Sequence, residues 1–289
     1  MAGPLHFETP TALEYFAALV AEDEGLSVLE AAISVAQDEY PQLDAQDVLA
    51  QVDELADRLR RRIPADAPPL QRLRLVNRYF FHELGFAGNV NDYYDAANSY
   101  VTEVLRTRRG IPITLAVLYI EVATQVGLPA VGVSFPGHFL VKLRMPRGEV
   151  IIDPFTGHSL SRDELDERLM PYRRQRGLVG EFEAPLGLFL QSAPPREVIA
   201  RLLRNLKEIH RSAEDWNRLL PVMHRLVILL PQAWDERRDR GLVHAEMGAW
   251  RAAADDISAY LAHCPDADDA DALRQRMGEL RRDGDPRLH

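Results

Sequence analysis

Three short segments in the middle of the chain carry the residue types that could do chemistry. They are the turn and helix start at 109–114, the segment 136–139 with His138, and the segment 151–155 with Asp153. Histidine and aspartate are side chains that accept and hold protons in enzyme sites. Because a helix start, a histidine and an aspartate come from consecutive elements, we predict that the three segments meet at one site.

The helices that would position this site are predicted from apolar spacing and capping residues. The central helix is predicted at Ile113–Val126 and should stop at Gly127 and Pro129, since glycine and proline commonly follow helix ends. Earlier helices are predicted at Ala12–Ala21, Ser27–Glu39, Asp44–Arg62 and Leu70–Leu84.

Three runs rich in valine, isoleucine and phenylalanine predict strands at Ala130–Phe135, Phe139–Met145 and Glu149–Phe155. The last two should form an antiparallel hairpin. A two-residue loop at 147 and 148 would place His138 opposite Gly157, roughly 13 Å along the strand from Asp153. In this register both side chains share one face of the sheet, but their direct contact needs a longer loop, a bulge or non-adjacent pairing.

The segment from Gly85 to Asn98 is rich in glycine, asparagine, aspartate and tyrosine, which is typical of a loop whose side chains bond their own backbone. A loop of this length beside a core is often functional. We interpret Asn98 and Ser99 as caps of a helix at Tyr100–Arg106.

A period of 34 residues organises the C-terminal third of the chain. It separates His210 from His244, Trp216 from Trp250, Leu226 from Tyr260, and Pro231 from Pro265. This is the period of tetratricopeptide repeats. We predict two repeats, at about 198–231 and 232–265, closed by a polar helix at Asp268–Arg282. Because two repeats alone are marginal, we expect this tail to pack against the core.

Five motifs together are similar to those of a known superfamily: Gly88-Asn-Val-Asn-Asp-Tyr-Tyr-Asp95, Asn98-Ser99, Arg109-Gly-Ile-Pro-Ile113, Pro136-Gly-His-Phe-Leu-Val141 and Ile152-Asp-Pro-Phe155. On these motifs the chain resembles the transglutaminase-like superfamily, and more narrowly its SirB-type bacterial branch. The resemblance implies an α+β fold, in which a papain-like core of a helix on an antiparallel sheet lies between N-terminal helices and a tetratricopeptide-like helical domain. We place these three regions at 1–69, 70–195 and 196–289.

One departure from the superfamily pattern bears on function. In enzymatic members a cysteine at the helix N-terminus is the nucleophile, while a histidine accepts its proton and an aspartate orients the ring. His138 and Asp153 match the last two roles, but the resemblance places Pro112 at the cysteine position. Proline suits the first turn of a helix and offers no nucleophile. The hydroxyls of Ser99 and Thr114 are the remaining candidates, although Thr114 lies about 200° around the helix from Pro112.

We therefore predict a non-catalytic or regulatory protein-binding module with a degenerate site, whose groove and repeats hold a protein or peptide. Its candidate binding residues are Asn98, Arg109, Pro112 and Gly137. The alternative is a hydrolase or acyl-transferase that uses Ser99 or Thr114 with His138 and Asp153. A hydroxyl within about 3 Å of the His138 ring would favour the enzyme.

Composition limits the other possibilities. The chain has 289 residues, 46% of them hydrophobic and 27% charged, and no apolar stretch approaches the ~20 residues that cross a membrane. Residues 1–25 lack the pattern of a signal peptide, so we expect a cytoplasmic protein. The formal net charge of -10 argues against nucleic-acid binding, which depends on neutralising phosphates. Cys264, the single cysteine, lies in the tail.

No spacing of histidine, cysteine and acidic residues suggests a metal site, and no glycine-rich motif suggests a nucleotide. The sequence therefore predicts neither a cofactor nor a metal.

Overall fold

The computed structural model describes residues 10–180 and 184–283. Its α-helices in these ranges are α1 Ala12–Leu19, α2 Val28–Val35, α3 Ala45–Arg60, α4 Pro69–Asn77, α5 Val101–Thr107, α6 Pro112–Gln125, α7 Arg162–Gln175, α8 Pro195–Ser212, α9 Trp216–Leu229, α10 Trp234–Glu246, α11 Trp250–His263 and α12 Ala270–Asp283. The strands are β1 Ala87–Gly88, β2 Arg109–Gly110, β3 Ala130–Val133, β4 Leu140–Met145, β5 Gly148–Ile152 and β6 Ser159–Leu160. The outer ends of the predicted first and third regions, 1–9 and 284–289, lie outside the described residues.

The N-terminal helices begin where the sequence predicts them. The side chains of Thr11, Ser27 and Asp44 accept hydrogen bonds from the first turns of α1, α2 and α3. These caps satisfy backbone N–H groups that have no partner inside a helix. The helix predicted at 70–84 is also present, but it continues beyond α4 as a π-helical turn at Arg78–Glu83.

The central helix α6 is buried on almost every side. Leu115, Leu118 and Tyr119 are exposed by 1% or less, and α2, α3, α4, α5 and α8 all pack against this helix. Pro112 takes its first position, where an N–H would have no helical partner. The chain leaves through Gly127 at φ +76°, a left-handed conformation that favours glycine. The predicted helix is thus confirmed, with both ends one residue earlier.

The antiparallel sheet has the strand order β3-β4-β5-β6, but the register of its central hairpin differs from the prediction. Val141 pairs with Ile152 rather than with Pro154. The loop consists of residues 146 and 147, because Gly148, at φ +112°, is already the first residue of β5. The predicted loop is therefore wrong by one residue, which shifts the pairing by two.

Two short parallel strands tie the loop before α5 to the start of α6. In β1 and β2, Gly88 lies beside Gly110. The N–H of Gly88 also donates to the carbonyl of Phe155, at 2.9 Å. A Cβ at Gly88 would come within 2.3 Å of the Phe155 ring, so this close approach requires glycine. The helix start, the loop and the segment after β5 are neighbouring lengths of backbone.

The C-terminal region forms two helix pairs and a final helix, as the 34-residue period predicts. α8 packs on α9, α10 packs on α11, and α12 covers the second pair. A Cβ at Gly241 of α10 would lie 3.0 Å from Ile257 of α11, so glycine permits the close approach of these helices. Trp216 and Trp250 take the same place in the two pairs, the first residue of α9 and of α11.

The tail packs against the rest of the molecule, as expected for two repeats. Val198 of α8 belongs to the same apolar cluster as α2, α3 and α6. Ion pairs join Arg225 of α9 to Asp38, and Arg218 of the same helix to Glu39. The region boundaries at 69 and 195 stay predictions, and a single apolar cluster extends across both of them.

Candidate functional site

His138 and Asp153 are in direct contact. His138 lies in the turn before β4, where Gly137 adopts φ +70° and the His138 N–H donates to the carbonyl of Phe135. Asp153 follows β5 directly, and its Oδ1 is 2.8 Å from His138 Nε2. Because a carboxylate only accepts, we assign the ring proton to Nε2. The observed register thus corrects the predicted separation of roughly 13 Å, and the contact needs neither a bulge nor a longer loop.

The buried carboxylate of Asp153 has two further donors. Its Oδ2 accepts from Arg168 Nη1 at 2.9 Å, and its Oδ1 also accepts from the backbone N–H of Phe155 at 3.0 Å. Burial alone raises the pKa of this carboxyl, but the hydrogen bond and charge of His138 and the hydrogen bonds from Arg168 and the Phe155 N–H outweigh it and lower the pKa to about 2. Asp153 is therefore ionised and shared between a histidine and an arginine.

No sequence motif marks Arg168 as a member of this site. It lies on α7, which begins with a capping box formed by Ser161 and Glu164, and it is 15 residues from Asp153 in the chain. Only the packing of α7 beside the end of β5 brings the two together. Its guanidinium is a permanent cation that balances the charge of Asp153.

The other ring nitrogen of His138 has no hydrogen-bond partner within residues 10–180 and 184–283. No hydroxyl of those residues makes a hydrogen bond to it. The peptide carbonyl of His138 accepts from Arg201 Nη2 at 2.7 Å, and Arg201 also donates to the hydroxyl of Ser134 and the carbonyl of Phe135. A residue of the first tail helix thus holds the histidine turn, while the ring has no hydroxyl partner in the described part of the chain.

The hydroxyl of Thr114 is committed to the backbone. Its fully buried Oγ1 lies 2.7 Å from the carbonyl oxygen of Asn98 and 3.0 Å from that of Ile111. A hydroxyl has one proton to donate, and these two acceptors share it. This geometry does not support the predicted nucleophile, because Thr114 ties the turn at 96–99 to the start of α6 instead of approaching His138.

Ser99 lies in the same turn with an isolated hydroxyl. The residue is fully buried, and its Oγ has no hydrogen-bond partner among the described residues, His138 included. The predicted capping role is wrong, because Asn98 and Ser99 belong to a 3₁₀ turn that ends before α5. The cap residue of α5 is Tyr100, and no side chain caps that helix.

Asn98 instead organises the loop that precedes it. Its side-chain nitrogen donates to the carbonyls of Asp92 and Tyr93, at 2.6 and 3.3 Å, and its side-chain oxygen accepts from Asn89 at 3.0 Å. Asn89 in turn accepts from the N–H of Asp92. One buried amide therefore holds the loop 89–95 from inside.

The other predicted binding residues have structural positions around this region. Pro112 is buried at the start of α6, and Gly137 shapes the histidine turn. Arg109 is exposed, and its Nη1 donates to the carbonyl of Gly85 at 2.6 Å, which closes the base of the loop. Their assignment to a binding site stays a prediction.

A cleft of about 440 Å³ opens between this loop and the tail. Its core wall consists of Tyr93, Tyr94 and Ile111, and its tail wall consists of Asn205, Glu208, Ile209, Ser212 and Ala213. The tail residues recur at helical spacing, so they present one face of α8 and its end. In the sequence, the one trace of this cleft is the pair of neighbouring tyrosines in a polar loop, and no motif indicates the facing helix.

Tyr93 connects the cleft to the histidine site. Its ring centroid is 5.9 Å from that of Phe155, whose N–H binds Asp153. On the tail side, Arg201 precedes Asn205 by one turn of α8. The cleft and the His138 site therefore adjoin and share both the loop and the first tail helix.

Over the described ranges, no group of three or more histidine, cysteine or acidic residues is arranged to hold a metal ion. Nor does any helix in that part of the chain have the length and apolar character to cross a membrane. Cys264 caps the end of α11 in the tail and is partly buried.

Comparison with known proteins agrees with this architecture. A family model described as the transglutaminase-like superfamily matches residues 46–204, and a tetratricopeptide repeat model matches residues 206–278. A UPF0162 protein of Xylella fastidiosa (strain 9a5c) is 37% identical over 262 residues, which cover 90% of this chain and 92% of that protein. A UPF0162 protein of Vibrio cholerae is 30% identical, covering 75% of this chain and 79% of the relative. The UPF0162 protein YchA of Escherichia coli (strain K12) is 27% identical, covering 82% and 86%.

Proposed function

This chain belongs to the transglutaminase-like superfamily, among the UPF0162 proteins, and on that premise we propose that it is a non-catalytic or regulatory module that binds a protein or peptide. The proposed binding surface is the cleft between the loop 89–95 and α8. His138 and Asp153 hold the neighbouring turn in place and do not turn over a substrate. A cytoplasmic location is part of the same proposal.

The observation that carries the proposal is that the cleft has one wall from each part of the molecule. Tyr93, Tyr94 and Ile111 come from the transglutaminase-like part, and the opposite wall is the first helix of the tail. Tetratricopeptide repeats generally mediate protein–protein interaction. A partner in this cleft would contact both parts at once.

The chemistry of the adjoining site supports a structural role for His138. Pro112 supplies no nucleophile, the Thr114 hydroxyl is bound to backbone carbonyls, and the Ser99 hydroxyl makes no hydrogen bond to the ring. Asp153 is shared with Arg168, so the histidine, carboxylate and guanidinium together join the turn before β4, the end of β5 and α7. Such a bridge stabilises the fold without any proton transfer.

The cleft has the features of a binding pocket. Its volume of about 440 Å³ lies within the range common for ligand pockets. Exposed tyrosines are frequent anchors in interfaces, and the buried Asn98 amide holds their loop, which reduces the entropy cost of binding. The side-chain amide of Asn205 has no hydrogen-bond partner in the described part of the chain, and it can both donate to and accept from a peptide backbone.

A display selection on the intact protein tests this proposal. Deleting the tail would be a poor test, because Val198 and Leu203 of α8 are part of the main apolar core. Random displayed peptides should be selected on the wild-type chain, and their affinity measured on Tyr94→Ala and on Leu188→Ala as a matched control. The two side chains are 79% and 63% exposed, and Leu188 lies outside the cleft.

We expect the selected peptides to lose at least about tenfold in affinity for Tyr94→Ala and to bind Leu188→Ala like the parent. Failure to enrich any peptide, or equal binding to both variants, would contradict the proposal. A parallel assay with aryl esters and glutamine-containing peptides tests the non-catalytic part. Hydrolysis or acyl transfer that disappears in His138→Ala and in Ser99→Ala or Thr114→Ala would overturn it.

A further inference from the structure

Acidic residues occur in the lining of the cleft and in the loop that forms one of its walls. Of the described residues that line the cleft, Glu208 alone is charged. Asp92 and Asp95 flank the two tyrosines in the chain and are exposed. The Asp95 carboxylate accepts from the N–H of Ala97, whereas the Asp92 carboxylate has no hydrogen-bond or ionic partner among the described residues. The loop and α8 together therefore offer carboxylates that are available to a ligand.

The ion pair that the Glu208 carboxylate makes is weak. The carboxylate accepts from Arg211 on the same helix, and both side chains of this pair are 56% exposed. Exposed ion pairs contribute about 0–1 kcal/mol, so a ligand cation can replace Arg211 at little cost. By contrast, Lys207 holds the neighbouring tail carboxylates of Glu236 and Asp239 in a buried cluster. Glu208 is the tail acid that a ligand in the cleft can reach.

The tyrosines provide the complementary surface for a cationic side chain. The rings of Tyr93 and Tyr94 meet edge to face, with centroids 5.3 Å apart and planes inclined at 79°. The faces of aromatic rings attract ammonium and guanidinium groups, and their apolar bodies pack on the methylene stems of lysine and arginine. With rings on one wall and a carboxylate on the other, the cleft matches both halves of such a side chain.

Arg201 sets the direction in which a charged ligand can lie. It precedes Glu208 by seven residues on α8, a distance of about 10 Å along the helix. Its guanidinium donates to Ser134, Phe135 and His138, and it has no carboxylate partner within the described ranges. A basic group is therefore repelled near the His138 site, whereas at Glu208 it meets a carboxylate whose own partner, Arg211, is exposed.

We infer that the cleft recognises an arginine or lysine side chain of its partner, held between the Tyr93–Tyr94 pair and Glu208. This inference rests on the proposed binding function and assigns the chemistry of the bound residue. Asn205 lies between Arg201 and Glu208 on the same face, where its free amide can bind the partner's main chain next to that residue. The chain's net charge of -10 adds a general attraction for a basic partner.

Titration with two small probes on the intact protein tests the inference. The probes are Nα-acetyl-arginine methylamide and its citrulline analogue, which has nearly the same shape without the charge. Binding is followed by NMR of ¹³C-labelled tyrosine rings, with Tyr93 and Tyr94 assigned from their Tyr→Phe variants. The titrations are repeated on Glu208→Gln and on Glu246→Gln, a matched control in which the lost glutamate is also half exposed and paired with one arginine, Arg276.

We expect the arginine probe to shift the Tyr93 and Tyr94 signals and to bind about fivefold more tightly than the citrulline probe. Glu208→Gln should remove most of that difference, and Glu246→Gln should leave it unchanged. Equal affinity for the two probes, no effect of Glu208→Gln, or no shift at the two tyrosines would each overturn the inference. Displayed peptides that require Tyr94 but carry no basic residue would overturn it while leaving the binding module intact.

Discussion

The His138 site and the adjoining cleft use polar side chains in opposite ways. In the site, the buried carboxylate of Asp153 is shared by two side chains and a backbone N–H, and the Thr114 hydroxyl is bound to carbonyls. In the cleft, Asn205 has no partner within the described residues, and Glu208 has only an exposed neighbour. Under the proposed function, the residues that match a catalytic pattern stabilise this fold, while groups outside that pattern are available to a ligand.

The physical reason lies in solvent exposure. A buried charge is costly unless it is paired and hydrogen-bonded, so the groups around Asp153 are constrained to one another. Side chains at the rim of a cleft can bond to water until a partner arrives. The two regions therefore differ less in residue type than in whether their polar groups are available to a ligand.

Removal of the Asp153 carboxylate should disrupt the hydrogen bonds of the His138 site and give the largest loss of stability. Asp153→Ala leaves His138 and Arg168 without their shared partner, and we expect a loss of about 3 kcal/mol in the free energy of unfolding measured in urea. This lies at the low end for a broken buried pair because the Arg168 side chain is 40% exposed and can reach water. Glu54→Ala, which removes an exposed pair with Arg58, is the control and should cost less than about 1 kcal/mol. Equal costs for the two variants would show that the site is not structural.

Mild acid should destabilise the tail before it affects Asp153, because α8, which lines the cleft, and α9, which packs on α8, each carry a histidine with a lowered pKa. Burial lowers the pKa of His210 in α8, and burial together with Arg240 and His244 lowers that of His224 in α9 to about 4. The unfolded chain, with an ordinary value of 6.5, binds more protons, so this stability is present above pH 6.5 and is lost as the pH falls towards 4.

For His224 alone we expect a loss of about 2 kcal/mol between pH 7.5 and pH 5, measured by urea unfolding at each pH. The contribution of Asp153 should not change in that window: it is present above the ordinary value of 3.8 and is lost only as the pH falls through about 2. His224→Gln should flatten the pH dependence, and His82→Gln, at an exposed position, should not. An unchanged pH dependence in His224→Gln would contradict the assignment.

Loss of the Asn98 side-chain amide should make the loop 89–95 more mobile and leave the contacts of the His138 site unchanged. Asn98→Ala removes the donors to the Asp92 and Tyr93 carbonyls, for which we expect about 1–2 kcal/mol of destabilisation. Amide hydrogen exchange should accelerate in residues 89–95, and peptide binding at the cleft should weaken. Asn91→Ala is the control in the same loop, because that exposed side chain makes no hydrogen bond among the described residues. Identical exchange in the two variants would mean that Asn98 does not organise the loop.

A cysteine at position 112 should show the smallest effect, and it tests most directly whether the His138 site is inactive. Pro112→Cys, made in a Cys264→Ala background, places a thiol at the start of α6. We expect its pKa, measured by the rate of alkylation against pH, to be the same with His138 as with His138→Ala. A thiol that titrates well below the unperturbed value of about 8.5, and returns towards it when His138 is removed, would show that the pair is still arranged for catalysis.

The sequence by itself determined the features that depend on neighbouring residues. Caps such as Thr11, Ser27 and Asp44 start helices through hydrogen bonds within a single turn, and Pro112 and Gly127 mark the ends of α6 through their own backbone preferences. The 34-residue period likewise predicted both helix pairs of the tail. These interactions are local, so they can be read from residue type and spacing.

Only the tertiary structure decided the contacts of the site. Hairpin registers that differ by two residues expose the same faces, so the hydrophobic pattern could not choose between Ile152 and Pro154 as the partner of Val141. Arg168 reaches Asp153, and Arg201 reaches the His138 turn, because α7 and α8 pack beside the sheet. Buried charges take whichever partner packing brings near, and that choice depends on long-range contacts that no local spacing encodes.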